Sequence, residues 1–291
     1  MILPDDIQHT VRRALEEDIG SGDVTATLIP EAALCDAFVI SREDAVVCGV
    51  AWFNEVFQQL DSTIQVIWCV KDGDAVRANQ TLCTLHGSAR PLLSGERAAL
   101  NFLQTLSGTA TTARRYATAV QGIPVKILDT RKTLPGLRSA QKYAVRCGGC
   151  YNHRQGLYDG ILIKENHILA AGSITQAVTA ARGLVGDLTR DGRVAIEVEV
   201  EVEVESLDEV REAMDAGADI LLLDNFDLEQ VRAAVALNKG KAKLEVSGGV
   251  NLDNLRAVAE TGVDFISIGA ITKNLQAIDL SMRFSGIQAF S

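Results

Sequence analysis

The stretch Ile220-Leu221-Leu222-Leu223-Asp224-Asn225 decides the fold, because four apolar residues run directly into a charged and a polar one. A short apolar run of this kind is typical of a strand that is buried on both faces of a parallel sheet. It belongs to one of six apolar segments after Gly122, each followed by helical sequence: residues 125–128, 160–163, 194–204, 218–223, 242–246 and 263–268. This alternation of strands and helices predicts an α/β fold with a parallel barrel.

The length of this region limits the number of strands in the barrel. Residues 114–273 make 160 residues, whereas complete eight-stranded barrels take about 250. We therefore predict an incomplete barrel of six or seven strands over 114–273. Residues 1–113 combine a helical pattern that ends at Gly20, several strand-like runs and a helical stretch from Ser94. They predict an N-terminal α+β sandwich domain, which residues 274–291 are expected to join.

The composition excludes several classes of function. Of the 291 residues, 47% are hydrophobic and 23% are charged, as is usual for a soluble globular protein. The net charge of −10 opposes binding to nucleic acid or to an anionic membrane. No apolar run reaches the roughly 18 residues of a membrane span, and the acidic start Asp5-Asp6 is unlike a signal peptide. Six scattered cysteines are expected to be reduced thiols, so we predict a cytoplasmic enzyme.

Charge is segregated along the predicted barrel. Between Lys126 and Lys164 there are eight basic residues and two acidic ones, whereas between Val194 and Glu229 there are thirteen acidic residues and one basic. Both segments lie on consecutive strands, whose carboxyl ends meet at one rim of a barrel. We therefore predict a pocket for a polyanion, with carboxylates opposite that hold a metal or stabilise a developing cation.

Three basic residues are predicted at that rim. Arg131 and Lys132 are adjacent cations at the end of a strand, just before the turn residues 133–136. Two neighbouring positive charges repel each other unless an anion binds, so we interpret them as functional. Lys164 follows the apolar run Ile161-Leu162-Ile163, which directs its ammonium group to the rim; a structural ion pair is the alternative.

Other basic residues carry weaker interpretations. Arg138, Lys142 and Arg146 recur every four residues on a predicted helix, which is typical of a solvated face. Arg97 is predicted to lie in the first turn of a helix that begins at Ser94, where the helix dipole disfavours a cation. For Arg97 this pattern does not decide between a functional and an incidental position.

The acidic residues need an argument about strand register. Five glutamates alternate with valines and so share one face of a strand; they are Glu197, Glu199, Glu201, Glu203 and Glu205. A shift by two residues leaves this pattern unchanged, but Ser206 begins the next helix in a capping box. Counting back from Ser206 places Glu203 on the rim and Glu201 one pleat deeper, and the choice between them stays open. Glu197 and Glu199 are expected to be solvated at the far end of a nine-residue strand.

Asp224 and two glycine-containing segments complete the predicted rim. Asp224 closes an apolar strand, which is a costly place for an unpaired charge, so we expect it to bind a metal or to stabilise a transition state. Ser247-Gly248-Gly249 and Ile268-Gly269-Ala270 follow the last two strands, where backbone N–H groups can bind a phosphate; a tight turn is the alternative for the first. Cys147 and Cys150 are expected to be packed thiols, because a zinc site needs further ligands.

Taken together, these motifs resemble those of quinolinate phosphoribosyltransferases. They keep the family's order over essentially the whole chain, at residues 129–138, 152–154, 164–167, 223–226, 245–249 and 262–270. The resemblance implies an N-terminal sandwich, an incomplete barrel and a homodimer that shares its active sites. It also implies an enzyme that uses Mg²⁺ to join quinolinate to phosphoribosyl pyrophosphate. The products are nicotinate mononucleotide for NAD synthesis, pyrophosphate and CO₂.

The resemblance also implies a role for each site residue. The quinolinate carboxylates are bound by Thr130, Arg131, Lys132, His153 and Arg154, and Arg97 is contributed by the neighbouring subunit. Lys164 lies near both substrates, and Glu203 and Asp224 lie near the ribose and Mg²⁺, which they hold directly or through water. The 5′-phosphate is bound by Ser247, Gly248, Gly249, Ile268, Gly269 and Ala270. The implied catalytic residues are Lys132, Lys164, Glu203 and Asp224.

Two other functions remain open on the sequence. One is a different barrel enzyme that acts on a phosphorylated anion, such as a nicotinate phosphoribosyltransferase, which needs a clamp for only one carboxylate. The other is a non-catalytic anion-binding or carrier protein, because residues 72–85 resemble the hammerhead of lipoyl and biotinyl carriers, although no exposed lysine follows. Equal turnover of nicotinate and quinolinate would favour the first alternative, and tight ligand binding without release of pyrophosphate would favour the second.

Overall fold

A computed structural model describes residues 1–190 and 198–288 of the chain. The chain divides into two compact units. The first comprises Met1–Arg115, Thr133–Gly149 and Ile271–Ser291, and the second comprises Tyr116–Lys132 and Cys150–Ala270. The predicted domain boundaries differ from these units, since they assign residues 133–149 to the barrel domain; they stay a prediction.

The first unit contains an antiparallel sheet. In chain order, its first α-helices and strands are α1 (Ile7–Ile19), β1 (Leu34–Ser41), β2 (Ala45–Val46), α2 (Val50–Leu60), β3 (Gln65–Trp68), β4 (Ala75–Val76), β5 (Thr81–Ser88) and α3 (Ala89–Ala119). Strands β1, β5 and β3 lie side by side in that order, and β2 pairs with β4. Trp52, Phe53 and Phe57 of α2 are fully buried in the core that covers this sheet.

The rest of the chain alternates strands with helices. The elements are β6 (Lys126–Leu128), α4 (Arg138–Gly148), β7 (Ile161–Ile163), α5 (Glu165–Ala171), α6 (Ile174–Arg190), β8 (Val200–Val204), α7 (Leu207–Asp215), β9 (Ile220–Asp224), α8 (Leu228–Asn238), β10 (Lys243–Ser247), α9 (Leu255–Ala259), β11 (Phe265–Ser267), α10 (Ala270–Lys273) and β12 (Leu280–Gln288). The last strand, β12, pairs antiparallel with β1 in the first unit.

The short strands β6 to β11 form one parallel sheet, so the predicted α/β fold is confirmed. Their order is β6-β11-β10-β9-β8-β7. In the part of the chain that the structure describes, no strand pairing joins β6 to β7, so the barrel is incomplete and has six strands. The buried residues Leu221, Leu222 and Leu223 show that β9 is covered on both faces, as its apolar run predicts.

Strand β8 is shorter than the sequence suggests. The predicted nine-residue strand is wrong, because β8 comprises the five residues Val200–Val204, all of which are buried. Ser206 caps α7 as predicted, since its hydroxyl accepts a hydrogen bond from the backbone of the first helical turn. Glu199 precedes the strand and is exposed, as expected, while Glu197 lies outside the described residues.

The start of α3 also differs from the prediction. This helix begins at Ala89 rather than Ser94. Pro91 lies in its first turn, where a proline is compatible with a helix start because the N–H groups there have no intrahelical acceptor. Arg97 therefore lies in the third turn, and the argument from the helix dipole does not apply to it.

Helix α4 has only part of the solvated face that its basic residues predict. Arg146 is exposed, but Lys142 is only 2% exposed, so the prediction is wrong for Lys142. The residues from Ala140 to Val145 are all buried, which means that protein surrounds this part of the helix. Cys147 and Cys150 are buried thiols, as predicted, and none of the six cysteines, all of which lie in the described residues, forms a disulfide.

A helix that spans a membrane must be both long and apolar. No single helix in the described residues meets both requirements. One pair, Glu165–Ala171 with Ile174–Gly186, meets the length and composition criteria when taken together, with a 92° bend between the two helices.

Candidate active site

A cavity of about 610 Å³ opens where the six barrel strands end. Every barrel strand contributes to its lining, either from within the strand or from the residues after it. The lining residues are Thr130, Arg131, Lys132, His153, Arg154, Leu162, Lys164, Glu165, Glu203, Glu205, Leu222, Asp224, Glu245, Ser247 and Ser267. The carboxyl ends of parallel strands meet at one rim, which explains why residues so far apart in sequence face the same space. The structure therefore brings the segregated basic and acidic residues together at the predicted rim.

The loop after β6 carries two exposed cations. Arg131 and Lys132 are both exposed, and the hydroxyl of Thr130 accepts a hydrogen bond from the Lys132 backbone N–H at 3.1 Å. A Cβ atom at Gly269 would lie 2.9 Å from Lys132 Cδ. Glycine at 269 therefore leaves room for the Lys132 side chain in its present position.

A buried carboxylate joins this loop to the segment that carries His153 and Arg154. Asp129 directly follows β6, and none of its surface is exposed. Its Oδ1 accepts a hydrogen bond from the His153 backbone N–H at 2.9 Å, and its Oδ2 accepts one from Asn152 Nδ2. The two cationic segments are thus held to the end of the same strand.

Arg154 is a cation in a partly desolvated position. Its Nη1 donates a hydrogen bond to the Gly160 carbonyl oxygen at 3.1 Å. Burial and then the positive charge of Arg131 lower the pKa of the guanidinium, and the negative charge of Glu201 opposes this effect. An anion bound between Arg131 and Arg154 would relieve their repulsion.

The ring of His153 points into the barrel. Its Nδ1 accepts a hydrogen bond from the Arg154 backbone N–H at 2.7 Å. Its Nε2 lies 3.1 Å from Glu201 Oε2 and 3.6 Å from Glu245 Oε1. Both carboxylates are almost completely buried.

Lys164 and Glu203 form an ion pair at the rim. Lys164 Nζ donates to Glu203 Oε2. The structural ion pair that the sequence analysis gave as an alternative for this lysine is therefore present. Burial raises the pKa of the Glu203 carboxyl; Lys164 opposes this shift, and the nearby carboxylates of Glu165 and Asp224 add to it. Glu203 lines the cavity whereas Glu201 does not, which is the placement that the position of Ser206 predicts.

Asp224 and Glu203 together suit a hard divalent cation. Asp224 is the half-buried last residue of β9, and its Oδ2 accepts a hydrogen bond from Asn225 Nδ2 at 2.9 Å. The charge of Asp224 contributes to the raised pKa of Glu203, so the two carboxylates are close enough to repel each other. Carboxylate oxygens are ligands that Mg²⁺ prefers, and a dication between them would remove this repulsion.

The two predicted phosphate-binding segments flank the same cavity. Ser247 is the last residue of β10 and Gly248 follows it, and a Cβ atom at Gly248 would lie 3.2 Å from Asp224 Oδ1. Gly248 has a φ of 87° and Gly249 a φ of 64°, which only glycine adopts readily. In the second segment, the Ile268 side chain is buried and its N–H donates to the Leu128 carbonyl oxygen.

Arg97 belongs to a different unit of the chain from the other predicted site residues. It is exposed on α3 in the first unit, where it lines a separate hollow of about 520 Å³ with Arg42 and Asp279. The remaining predicted residues belong to the second unit and line or flank the barrel cavity.

Sequence reasoning missed two buried acids at the site, Asp129 and Glu245. Asp129 directly follows the apolar strand β6, so the argument from burial that singles out Asp224 applies to Asp129 as well. Glu245 lies between Leu244 and Val246, and a charged residue within such a buried strand is a signal of function.

An incomplete parallel barrel with cations and carboxylates at its strand ends has the architecture of an α/β-barrel enzyme with its site at the strand ends. The model of the quinolinate phosphoribosyl transferase N-terminal domain matches residues 23–107, and that of the C-terminal domain matches residues 109–283. The chain belongs to the quinolinate phosphoribosyl transferase family.

Individual relatives agree with this assignment. The chain is 44% identical over 266 residues to the probable nicotinate-nucleotide pyrophosphorylase (carboxylating) of Bacillus subtilis, covering 91% of this chain and 89% of the relative. It is 39% identical to the enzyme of that name from Mycobacterium leprae, covering 96% and 97% of the two chains. The structure of the Francisella tularensis nicotinate-nucleotide pyrophosphorylase superposes with a TM-score of 0.91 at 48% identity, covering 98% of each chain. The predicted family and enzyme class are confirmed.

Proposed function

We propose that this chain transfers the phosphoribosyl group of phosphoribosyl pyrophosphate to quinolinate, with loss of CO₂, in NAD synthesis. It is then a pentosyltransferase that forms nicotinate mononucleotide and pyrophosphate. The observation that carries the proposal is the barrel cavity, in which four cations and five acids, among them Glu203 and Asp224, line one space. The names of the relatives describe the same reaction.

Quinolinate is a flat dianion, and two carboxylates need more than one cationic partner. Arg131, Lys132 and Arg154 line the cavity together, and guanidinium groups bind carboxylates through paired hydrogen bonds. The lowered pKa of Arg154 supports this role, because burial and Arg131 disfavour its charge until an anion binds. Thr130 and His153 complete the proposed quinolinate subsite.

Glu203 and Asp224 are placed to stabilise the sugar during the reaction. Breaking the anomeric C–O bond leaves a ribose with oxocarbenium character, and nearby carboxylates supply the compensating negative charge. Lys164 fixes the direction of the Glu203 carboxylate through their ion pair. Lys132 and Lys164 add positive charge beside the leaving group, which completes the proposed catalytic set.

We infer that Mg²⁺ is the cofactor and that Glu203 and Asp224 would hold it, directly or through water. Their mutual repulsion supports this assignment. When bound, the ion neutralises charge on the departing pyrophosphate.

Decarboxylation makes a smaller demand on the protein. Once the ring nitrogen is alkylated it carries a positive charge, and this charge stabilises the electron pair left on C2 when the 2-carboxylate departs as CO₂. C2 then takes up a proton from water, which gives the neutral C–H bond of the product. The cations of the quinolinate subsite then only position the ring. We therefore assign no general base to the site.

The 5′-phosphate is proposed to bind between the two glycine segments, Ser247–Gly249 and 268–270. Backbone N–H groups at such loops form anion-binding sites. Since the Ile268 N–H already donates to Leu128, the donors proposed in the second segment are those of Gly269 and Ala270.

We also propose a cytoplasmic homodimer in which Arg97 of one subunit completes the site of the other. The exposure of Arg97 on α3 of the first unit, whereas the other proposed site residues belong to the second unit, is compatible with this arrangement. The six cysteines, which form no disulfide among the described residues, support a reducing compartment.

The test is an assay with quinolinate, phosphoribosyl pyrophosphate and Mg²⁺ that follows pyrophosphate and CO₂ together. Equal amounts of the two products, both lost on chelation of Mg²⁺, are expected. Equal turnover of nicotinate and quinolinate would instead identify a nicotinate phosphoribosyltransferase. Ligand binding without any pyrophosphate release would identify a binding protein and overturn the proposal.

A further inference from the structure

Both ring nitrogens of His153 are engaged by the protein itself. The Arg154 backbone N–H donates to Nδ1 at 2.7 Å, so Nδ1 must present a lone pair. In a neutral imidazole the single proton then lies on Nε2. Nε2 is 3.1 Å from Glu201 Oε2, which is hydrogen-bond distance, so His153 donates to Glu201.

This proton position argues against a metal in the same cluster. Ligand atoms of His153, Glu201 and Glu245 lie within 4.8 Å of one another, as they would around an ion. Coordination through Nε2 would move the ring proton to Nδ1, where it would face the Arg154 N–H. The donor set therefore fits an internal hydrogen bond better than a metal site.

The two buried carboxylates are costly for the fold. The Glu201 side chain is 6% exposed and that of Glu245 is 1% exposed. Each keeps one oxygen, Oε1, without a hydrogen-bond partner among the described residues. Branched apolar side chains normally fill the interior of a barrel. A fold with buried acids at such positions is seldom more stable than one with apolar side chains of similar volume there. A role in function is the better explanation for Glu201.

Glu201 acts on two consecutive residues of the substrate cavity. It accepts the hydrogen bond from His153, and its charge favours the protonated form of Arg154. His153 and Arg154 line the cavity, whereas Glu201 does not. Glu201 therefore influences the cavity through His153 and Arg154.

We propose that Glu201 is a positioning residue, which fixes the His153 ring from below and so directs Arg154 into the quinolinate subsite. The inference rests on the proposed function for the identity of the substrate. It predicts that the loss of Glu201 weakens quinolinate binding selectively, since the residues near the ribose and pyrophosphate do not depend on it.

The first test is the steady-state kinetics of Glu201→Leu, which removes the acceptor but fills a similar volume. The KM for quinolinate should rise about tenfold or more, while the KM for phosphoribosyl pyrophosphate and kcat stay within about threefold. Glu201→Gln keeps an acceptor oxygen and should retain most of the quinolinate affinity. An unchanged quinolinate KM in Glu201→Leu, or equal changes in both KM values, would overturn the proposal.

Glu199 provides the matched control. It lies two residues before Glu201 on the same side of the chain, but it is half exposed and pairs with Lys243. Glu199→Leu removes the same charge from the same segment and should leave both KM values unchanged. A selective rise in quinolinate KM in Glu199→Leu would show that the effect is one of general charge and not of the His153 contact.

The second test does not depend on activity. Correlated proton–nitrogen NMR of the histidine rings, with His153 identified among four histidines by His153→Gln, should show a slowly exchanging proton on Nε2. That proton should exchange rapidly in Glu201→Leu. A proton on Nδ1 instead would overturn the positioning role even if the enzyme turns over quinolinate, whereas absent turnover with the expected spectrum would overturn only the proposed function.

Discussion

Asp224 carries the charge on which the proposed reaction depends most directly. It closes the buried strand β9 and shares the cavity with Glu203. Asp224→Asn keeps the shape but removes the charge, so kcat should fall by at least about 100-fold, measured with both substrates saturating. Asp215→Asn, an exposed acid on α7, is the control and should be neutral. If the kcat of Asp224→Asn stays within about threefold of wild type, Asp224 does not stabilise positive charge on the ribose.

Arg131 is expected to act on the acid substrate alone. Arg131→Ala removes one exposed guanidinium from the cavity without opening a hole in the core. The quinolinate KM should rise about tenfold or more, with the melting temperature retained. Arg232→Ala changes an exposed arginine on α8 and should alter neither quantity. Kinetics identical to wild type would place Arg131 outside the subsite.

Glu245 makes stability depend on pH. Burial, and then the charge of Glu201, raise the pKa of its carboxyl from 4.5 to about 7. Between these values the folded protein holds a proton that the unfolded chain has released, so this group's contribution to the free energy of unfolding falls as pH rises through the window. Glu245→Gln removes that loss.

The stability of Glu245→Gln should therefore exceed that of wild type by an amount that grows with pH. The difference should be small at pH about 4.5 and approach about 3 kcal/mol above pH 7, as measured by urea unfolding. Glu199→Gln, at an exposed position, should show no such trend. A difference that is the same at both ends of the window would contradict the raised pKa.

At the scale of elements, alanine substitutions at two helical glycines are expected to change the free energy of unfolding in opposite directions. A Cβ atom at Gly148 in α4 would lie 2.4 Å from Ala113 Cβ and 2.5 Å from the Ala110 carbonyl oxygen of α3. Gly148→Ala should therefore lower the free energy of unfolding by about 1–3 kcal/mol or more. Gly183 in α6 has no atom within 4 Å of such a Cβ, so Gly183→Ala should raise it by about 0.5–1 kcal/mol. Urea unfolding of both variants checks the signs, and equal effects would contradict the close packing of α3 and α4.

The barrel strands could be predicted because burial on both faces leaves a clear local signal. The apolar run of β9 and the cap at Ser206 set the positions of Asp224 and Glu203 without any tertiary information. The burial of Lys142 and the start of α3 at Ala89 could not be predicted. They depend on what packs around each helix, which spacing along the chain does not encode.

At the scale of the whole molecule, the proposed homodimer predicts that each site takes Arg97 from the neighbouring subunit. Arg97→Ala and Lys164→Ala should each be inactive. When they are mixed under conditions that exchange subunits, about a quarter of the sites should regain all their residues, because half of a random mixture is mixed dimer with one intact site. Mixing Glu203→Ala with Lys164→Ala, both in the barrel cavity, should restore nothing. No recovery in the first mixture would argue for sites built within one chain.

The site as a whole was predicted in its charge pattern but not in its internal supports. Cations and acids on consecutive strands must meet at one rim, so the sequence is sufficient to bring Arg131, Lys164 and Glu203 together. The contacts of Asp129 with His153, and of His153 with Glu201, join strands that are distant in sequence. Such contacts depend on which side chains face one another across the barrel interior, and only coordinates reveal them.

The attachment of both cationic segments through Asp129 has a consequence for inhibitors. With its two halves tied to one strand end, the acid-binding surface should already have its final shape before any ligand arrives. A stiff aromatic diacid would then lose little configurational entropy on association, whereas a flexible chain bearing the same carboxylates would lose more. Rigidity in the compound, rather than added contacts, is the feature that medicinal chemistry on this enzyme should favour first.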